Sequence, residues 1–176
     1  MNTGQLLLTI GAMFILSLVI LRVNNNFLTT NDVMLNSKIG ITAVSLGTSI
    51  IEEASSKSFD EVTADTTILS LGTNDLTLPK SLGKDGAEVY PYFNDFDDFN
   101  DLNITETIPY TAEYNITCKV YYVDFNPSSP SSDKIIPSSN KTWFKKLEVN
   151  VTSRSMQRLD GTPDTLKFYS VFSYWK

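Results

Sequence analysis

The sequence predicts an α+β protein: one long N-terminal helix, apolar in its first half and amphipathic in its second, packed on a small antiparallel β-sheet head. Three observations carry this. From Leu6 to Leu21 there is no charged residue. Between Ile39 and Ala54 apolar residues recur at helical spacing. Beyond Val62 the apolar runs shorten, and three stretches alternate with period two.

The chain has 176 residues and a net charge of −6. That suits one globular domain with an appendage, divided as an apolar helix for a membrane or filament core (1–23), a helix continuation packing on the head (24–60) and an antiparallel β head (61–176). A head of roughly 120 residues can bury its own core. The acidic balance argues against a nucleic-acid partner, which selects Lys/Arg-rich surfaces. There is no His, so the commonest general base and metal ligand is missing. The lone Cys118 has no partner for an internal disulfide.

The first element opens MNTGQLLLTIGAMFILSLVILRVNNN. A cleavable secretion signal needs a basic stretch before the apolar run and a small-residue cleavage site after it. Here the first positive charge, Arg22, follows the run, and a start at Met1 favours a retained segment. Leu6 to Leu21 rises about 24 Å as a helix, and adding Thr3, Gly4, Gln5, Arg22 and Val23 reaches about 31 Å. That spans a hydrocarbon core of about 30 Å, with Arg22 extended toward the headgroups. Each large aliphatic side chain left in water forgoes about 1.5–3 kcal/mol, so about a dozen amount to on the order of 20 kcal/mol. The rod therefore belongs in lipid or among similar helices. Gly11, Ala12 and Ser17 are small residues that let helix backbones approach closely. Two readings stand: a permanent anchor, or a segment that rests first in a bilayer and later in a protein bundle.

Val23 to Asn36 contains Asn24, Asn25, Asn26, Thr29, Thr30 and Asn31, all mediocre helix formers. The helix either continues here, imposed by packing, or loosens. The stretch KIGITAVSLGTSIIEEASSKSFDEVT then places Ile39, Ala43, Leu46, Ile50 and Ala54 on one face, with Glu52, Glu53, Lys57 and Ser58 on a polar side. Gly40 and Gly47 weaken a helix by about 1 kcal/mol each relative to Ala. Packing against a sheet or another helix must compensate.

The short stub, the apolar helix and the amphipathic continuation ending in IIEEASSKSFDEVT resemble the bacterial type IV pilin and pseudopilin superfamily over roughly the first 60 residues. The acidic aromatic run YFNDFDDFND is similar to a stretch found in some minor pilin-like proteins. The resemblance implies a structural, non-enzymatic subunit of an extracellular or cell-surface filament. The subunit would be anchored in the inner membrane before assembly and partnered afterwards by copies of itself in a helical homopolymer. The implied subunit interface is Gln5, Leu6, Leu7, Leu8, Ile10, Met13, Phe14, Leu16, Leu18, Ile20 and Leu21. Family members usually carry Glu at the fifth mature position. Here that position is Gln5, or Thr9 if processing follows Gly4. A Gln amide oxygen still accepts a hydrogen bond from a neighbour's N-terminal amine, without charge assistance, and is less costly to bury than a carboxylate. The alternatives are a minor pilin or pseudopilin of a secretion or pilus machine, and a membrane-anchored periplasmic binding module.

In the head, TTILSLGTNDLTLP suggests a short strand with Leu69 and Leu71 alternating before Gly72. SLGKDGAEVYPYFNDFDDFNDLNITETIP, rich in Gly, Asp, Asn and Pro, predicts a long structured loop. Ile116, Cys118, Val120 and Tyr122 share one face of a strand; Cys118 there reads as a buried small hydrophobe. Leu147, Val149 and Val151 alternate against Lys146, Glu148, Asn150 and Thr152. In the last strand Leu166, Phe168, Ser170, Phe172 and Tyr174 oppose Tyr169, Val171 and Trp175. One wet face and one covered face fit an antiparallel sheet, with the amphipathic helix as cover. NPSSPSSDKIIPSSN predicts a solvated connection.

Asp95, Asp97, Asp98 and Asp101 stand close together, and hard oxygen ligands at such spacing can collect Ca²⁺. The run lacks the glycine bend and closing Glu of an EF-hand. The competing reading is a solvated acidic loop with Phe93, Phe96 and Phe99 turned inward and no cofactor. Paired carboxylates also serve acid–base catalysis, but no nucleophile motif accompanies them, and no enzymatic activity is expected. Four Asn-x-Thr triplets, beginning at Asn103, Asn115, Asn140 and Asn150, are close to the chance number in so Asn- and Thr-rich a chain and carry little weight as glycosylation sites.

Overall fold

The computed structural model describes residues 2–64, 72–127, 134–157 and 162–174. The N-terminal segment forms one uninterrupted helix, α1 (Thr3–Ser55), of 53 residues, rising about 80 Å at about 1.5 Å per residue. A one-turn helix, α2 (Glu61–Ala64), follows. The strands are β1 (Asn103–Ile108), β2 (Ala112–Phe125), β3 (Ile135–Pro137), β4 (Phe144–Gln157) and β5 (Pro163–Ser173). They form one antiparallel sheet in the order β1-β2-β4-β5, with β3 on the C-terminal end of β2.

Of the two readings of the Asn/Thr stretch, the continuous helix is the one found. Its hydroxyls show how. Thr29 and Thr30 Oγ1 donate to the carbonyls of Asn25 and Asn26 at 2.9 and 2.8 Å, one turn back. Side chains that would compete with the helical backbone are instead tied to it.

The back half of α1 lies over β4 and β5 and touches β2. Ile39, Ala43, Gly47, Ile50 and Ala54 are the buried helix residues, with Leu46 packed at the edge of the same core. The sheet contributes Tyr114, Ile116, Cys118 and Val120 from β2 and Leu147, Val149 and Val151 from β4. Those are the faces that alternation predicts. At the start of this contact Lys38 Nζ donates to the carbonyl of Tyr110 at 3.0 Å, and Tyr114 Oη donates to that of Ile39 at 3.1 Å. The helix is thus pinned to the β1–β2 turn where it first meets the head. A second cluster lies beyond the helix end, where Phe59, Leu76, Leu82 and Tyr122 pack with Trp143, Phe172 and Tyr174.

Two expectations are corrected. The long loop ends in β1, which pairs residue by residue with β2 from Asn103↔Thr117 to Ile108↔Ala112. The Pro/Ser-rich connection contains β3, Ile135–Pro137, paired with Val123–Phe125. Both strands are short and partly exposed, so they lack the apolar alternation by which the longer strands are read. The expected strand around Leu69 and Leu71, like Trp175, lies outside the described residues.

Candidate functional site

The first candidate surface is the front of α1. From Thr3 to Lys38 every helix residue is exposed. Leu7, Leu8, Met13 and Phe14 show 65% or more of their surface. Ile10, Leu16, Ile20 and Leu21 show more than half, and Leu6 and Leu18 47%. Exposure runs round the whole circumference, because among the described residues nothing in the head folds back on the rod. This part of the helix is long and apolar enough to cross a membrane. Thr9 Oγ1 donates to Leu6 O at 2.8 Å and Ser17 Oγ to Met13 O at 2.9 Å. The rod's hydroxyls therefore have partners within the helix and do not need water, which lets them enter an apolar phase. Gln5 sits on the first turn, exposed.

The second candidate is the acidic loop. Asp95, Asp97 and Asp98 are buried, at 2% exposure or less, whereas Asp101 is exposed in the left-handed region at φ 59°. The carboxylates face inward, unlike those of a solvated loop, because each finds a donor there. Asp95 Oδ1 accepts from the backbone N–H groups of Asp97 and Asp98 at 2.9 and 3.1 Å. Asp98 Oδ2 accepts from those of Asn94 and Asp95 at 3.0 and 3.2 Å. These reciprocal bonds close the one-turn 3₁₀ helix Asp97–Phe99, around which Phe93, Phe96 and Phe99 turn into the core. Phe96 N donates to Ser58 O at 2.8 Å, which holds the loop beside the end of α1.

Asp97 turns the other way, toward Lys145. Lys145 is fully buried on β4, in phase with Leu147, Val149 and Val151. Its Nζ donates to Phe59 O at 2.7 Å, to Asp60 Oδ2 at 2.8 Å and to Asp97 Oδ1. The rings of Phe59 and Tyr122 stand 4.6 and 5.4 Å from the nitrogen. Asp60 also accepts from Thr77 N at 3.1 Å and Thr77 Oγ1 at 3.0 Å, and Tyr122 Oη lies 3.2 Å away. Burial pushes the Asp60 carboxyl up. The Lys145 charge and the donors from Lys145 and Thr77 outweigh it and hold the group below its ordinary 3.8. At Asp97 burial prevails over Lys145, helped by the charges of Asp60 and Asp98, and the carboxyl rises to about 6. Asp95, with burial and two acidic neighbours acting together, rises to about 8.

Sequence reading placed the four acidic residues correctly in one loop but did not single out Asp60 or Lys145. The available signal was phase: in FKKLEVNV the first lysine occupies the inward register, and an inward lysine needs a carboxylate opposite. Among the described residues no group of three or more His, Cys, Asp and Glu is arranged to hold a metal ion. Compared with known proteins, the chain matches no family model, no curated sequence and no solved structure.

Proposed function

We propose that this protein is a structural subunit of a pilus-like filament, held in the inner membrane by the front of α1 and polymerised at the cell surface through that same segment. One observation carries the reading: a folded head grips only the back of α1 and leaves an apolar rod bare on all sides. A bare rod forgoing on the order of 20 kcal/mol exceeds the whole stability of a typical domain, about 5–15 kcal/mol. Lipid can cover it first and like rods afterwards. Packed head-to-tail, each rod meets its neighbours' rods through different faces, and such contacts propagate along a fibre instead of closing. Gln5 supplies the polar contact at the tip, and Gly11, Ala12 and Ser17 the close backbone approach.

The test is electron microscopy of sheared surface material from cells producing the full chain, beside Leu16→Asp and Ile20→Asp. A charge at mid-rod costs about 2.5–3.5 kcal/mol in a bilayer and has no partner in a bundle. Fibres from the unmodified chain and none from the variants, with the head still folded, are expected. Normal fibres from either variant would overturn the reading, as would an unmodified chain that yields only monomers.

A further inference from the structure

Lys145 is a primary amine sealed inside the head, in contact with the carboxyl of Asp97 and with that of Asp60, and walled by Phe59 and Tyr122. The three side chains come from parts of the chain far apart: the segment after α1, the acidic turn and β4. We propose that Lys145 and Asp97 condense into an intramolecular isopeptide bond, with Asp60 moving the protons. The mature head is then covalently closed between β4 and the acidic turn.

The atoms balance without any co-reactant. One proton passes from the Lys145 ammonium to Asp97, giving a free amine and a carboxylic acid. The amine lone pair forms a bond to Cγ of Asp97. Asp60, as carboxylate, takes the next proton from nitrogen and delivers it to the hydroxyl on Cγ. The C–O bond breaks, water leaves and an amide remains. The cluster carries one net negative charge before and after, on Asp60.

Three features of the site favour the step. In water, amine and acid ionise, and the ions do not condense. In a dry site burial opposes both charges, and turning an ammonium–carboxylate pair into an amide removes two of them. Burial also lifts the Asp97 carboxyl to about 6, toward the acid form that loses hydroxyl. Finally, holding nucleophile and electrophile in contact gives effective concentrations of about 10⁵–10⁸ M in well-oriented systems. Asp60 is suited to shuttle because it touches the amine directly and its carboxylate accepts from Thr77 N and Thr77 Oγ1. The chemistry is independent of the filament reading; in a fibre under tension it would stop the turn from peeling off the sheet.

The deciding experiment is peptide mass mapping of the detergent-solubilised full chain after reduction, denaturation and digestion. The expected product is a branched peptide joining the Asp97 segment to the Lys145 segment, lighter than its parts by one water, with no cleavage after Lys145. Asp97→Asn should still form the branch, now losing ammonia instead of water. Asp60→Asn should leave the segments separate. Linear peptides of full mass from the unmodified chain, cleaved after Lys145, would overturn the proposal whatever the variants do. So would a water loss confined to a linear Asp97 peptide, the mark of a cyclic imide. Branching undiminished in a folded Asp60→Asn protein would remove Asp60 from the mechanism.

Discussion

Gly47 of α1 lies flat against the ring of Phe168 on β5. A Cβ added to the glycine would stand 2.4 Å from Cε2 and 2.5 Å from Cδ2 of that ring. The glycine that weakens the helix is therefore what lets the helix seat on the sheet. Gly47→Ala must push the ring aside in a packed core, and overpacking of this kind costs about 1–3 kcal/mol. Gly40 is the control, since a Cβ there meets nothing within 4 Å. Gly40→Ala should stabilise by up to about 1 kcal/mol through helix propensity. Urea unfolding in detergent, followed by tryptophan fluorescence, should show the two substitutions moving the midpoint in opposite directions.

The buried acidic turn gives the head an inverted pH dependence. Asp95 is raised to about 8, first by burial and then by the charges of Asp97 and Asp98. An acid whose folded pKa lies above its unfolded value, about 3.9, binds more protons folded than unfolded between those values. Stability then falls as pH rises through that window. The head should melt at a higher temperature at pH 5 than at pH 8. Asp95→Asn keeps an oxygen for the amides of Asp97 and Asp98 and has no charge to bury, so it should flatten the slope and raise the melting temperature at pH 8. Asp60, whose carboxyl is lowered while the Lys145 amine is free and charged, acts in the opposite sense in the uncondensed head: its contribution is lost only as pH falls below about 4. Scanning calorimetry across pH 3–9 would check both limbs. An Asp95→Asn protein with the original slope would contradict the assignment.

Much of this architecture is legible in the sequence because each legible feature has a period. Ile39, Ala43, Ile50 and Ala54 repeat as a helix face, and Leu147, Val149 and Val151 as a strand face, and both are buried. The rod announces itself by the lack of charge from Leu6 to Leu21. What escaped was aperiodic or long-range. β3 is three residues, too short to show alternation. The burial of Asp97 depends on Lys145, 48 positions later. Asp95 and Asp98 turn inward on backbone donors of their own turn, but no local rule turns Asp97 inward; a partner on a distant strand does.

Tyr121 and Tyr122 are neighbours on β2 that point to opposite faces, and their hydroxyls should differ in value accordingly. Tyr122 is fully buried and its Oη donates to Thr77 O at 2.8 Å. Tyr122→Phe leaves that carbonyl without its donor and should cost about 1–3 kcal/mol. Tyr121 Oη donates to Glu148 on the wetter face of the sheet, where water can replace it. Tyr121→Phe should stay within about 0.5 kcal/mol of the unmodified protein. Paired denaturation curves on the two single variants read this difference directly.

The bare and seated parts of α1 should also differ in hydrogen exchange. From Ile39 onward one face of the helix is seated on the core through Ile39, Ala43, Gly47, Ile50 and Ala54, so its amides should open chiefly when the head opens. Residues 24–37 have the same backbone bonds but are exposed throughout, and an unsupported helical stretch of about 14 residues is marginal in water. In the detergent-held monomer, amides 24–37 should exchange orders of magnitude faster than amides 43–54, while 6–21 are shielded by detergent. If the subunits polymerise through this helix, neighbouring rods cover 24–37 as well, and its exchange should slow sharply in fibres while that of 43–54 changes little. Mass-spectrometric exchange on monomer and fibre measures both. Equal, fast exchange of 24–37 in the two states would mean that only the front of the rod is buried on assembly.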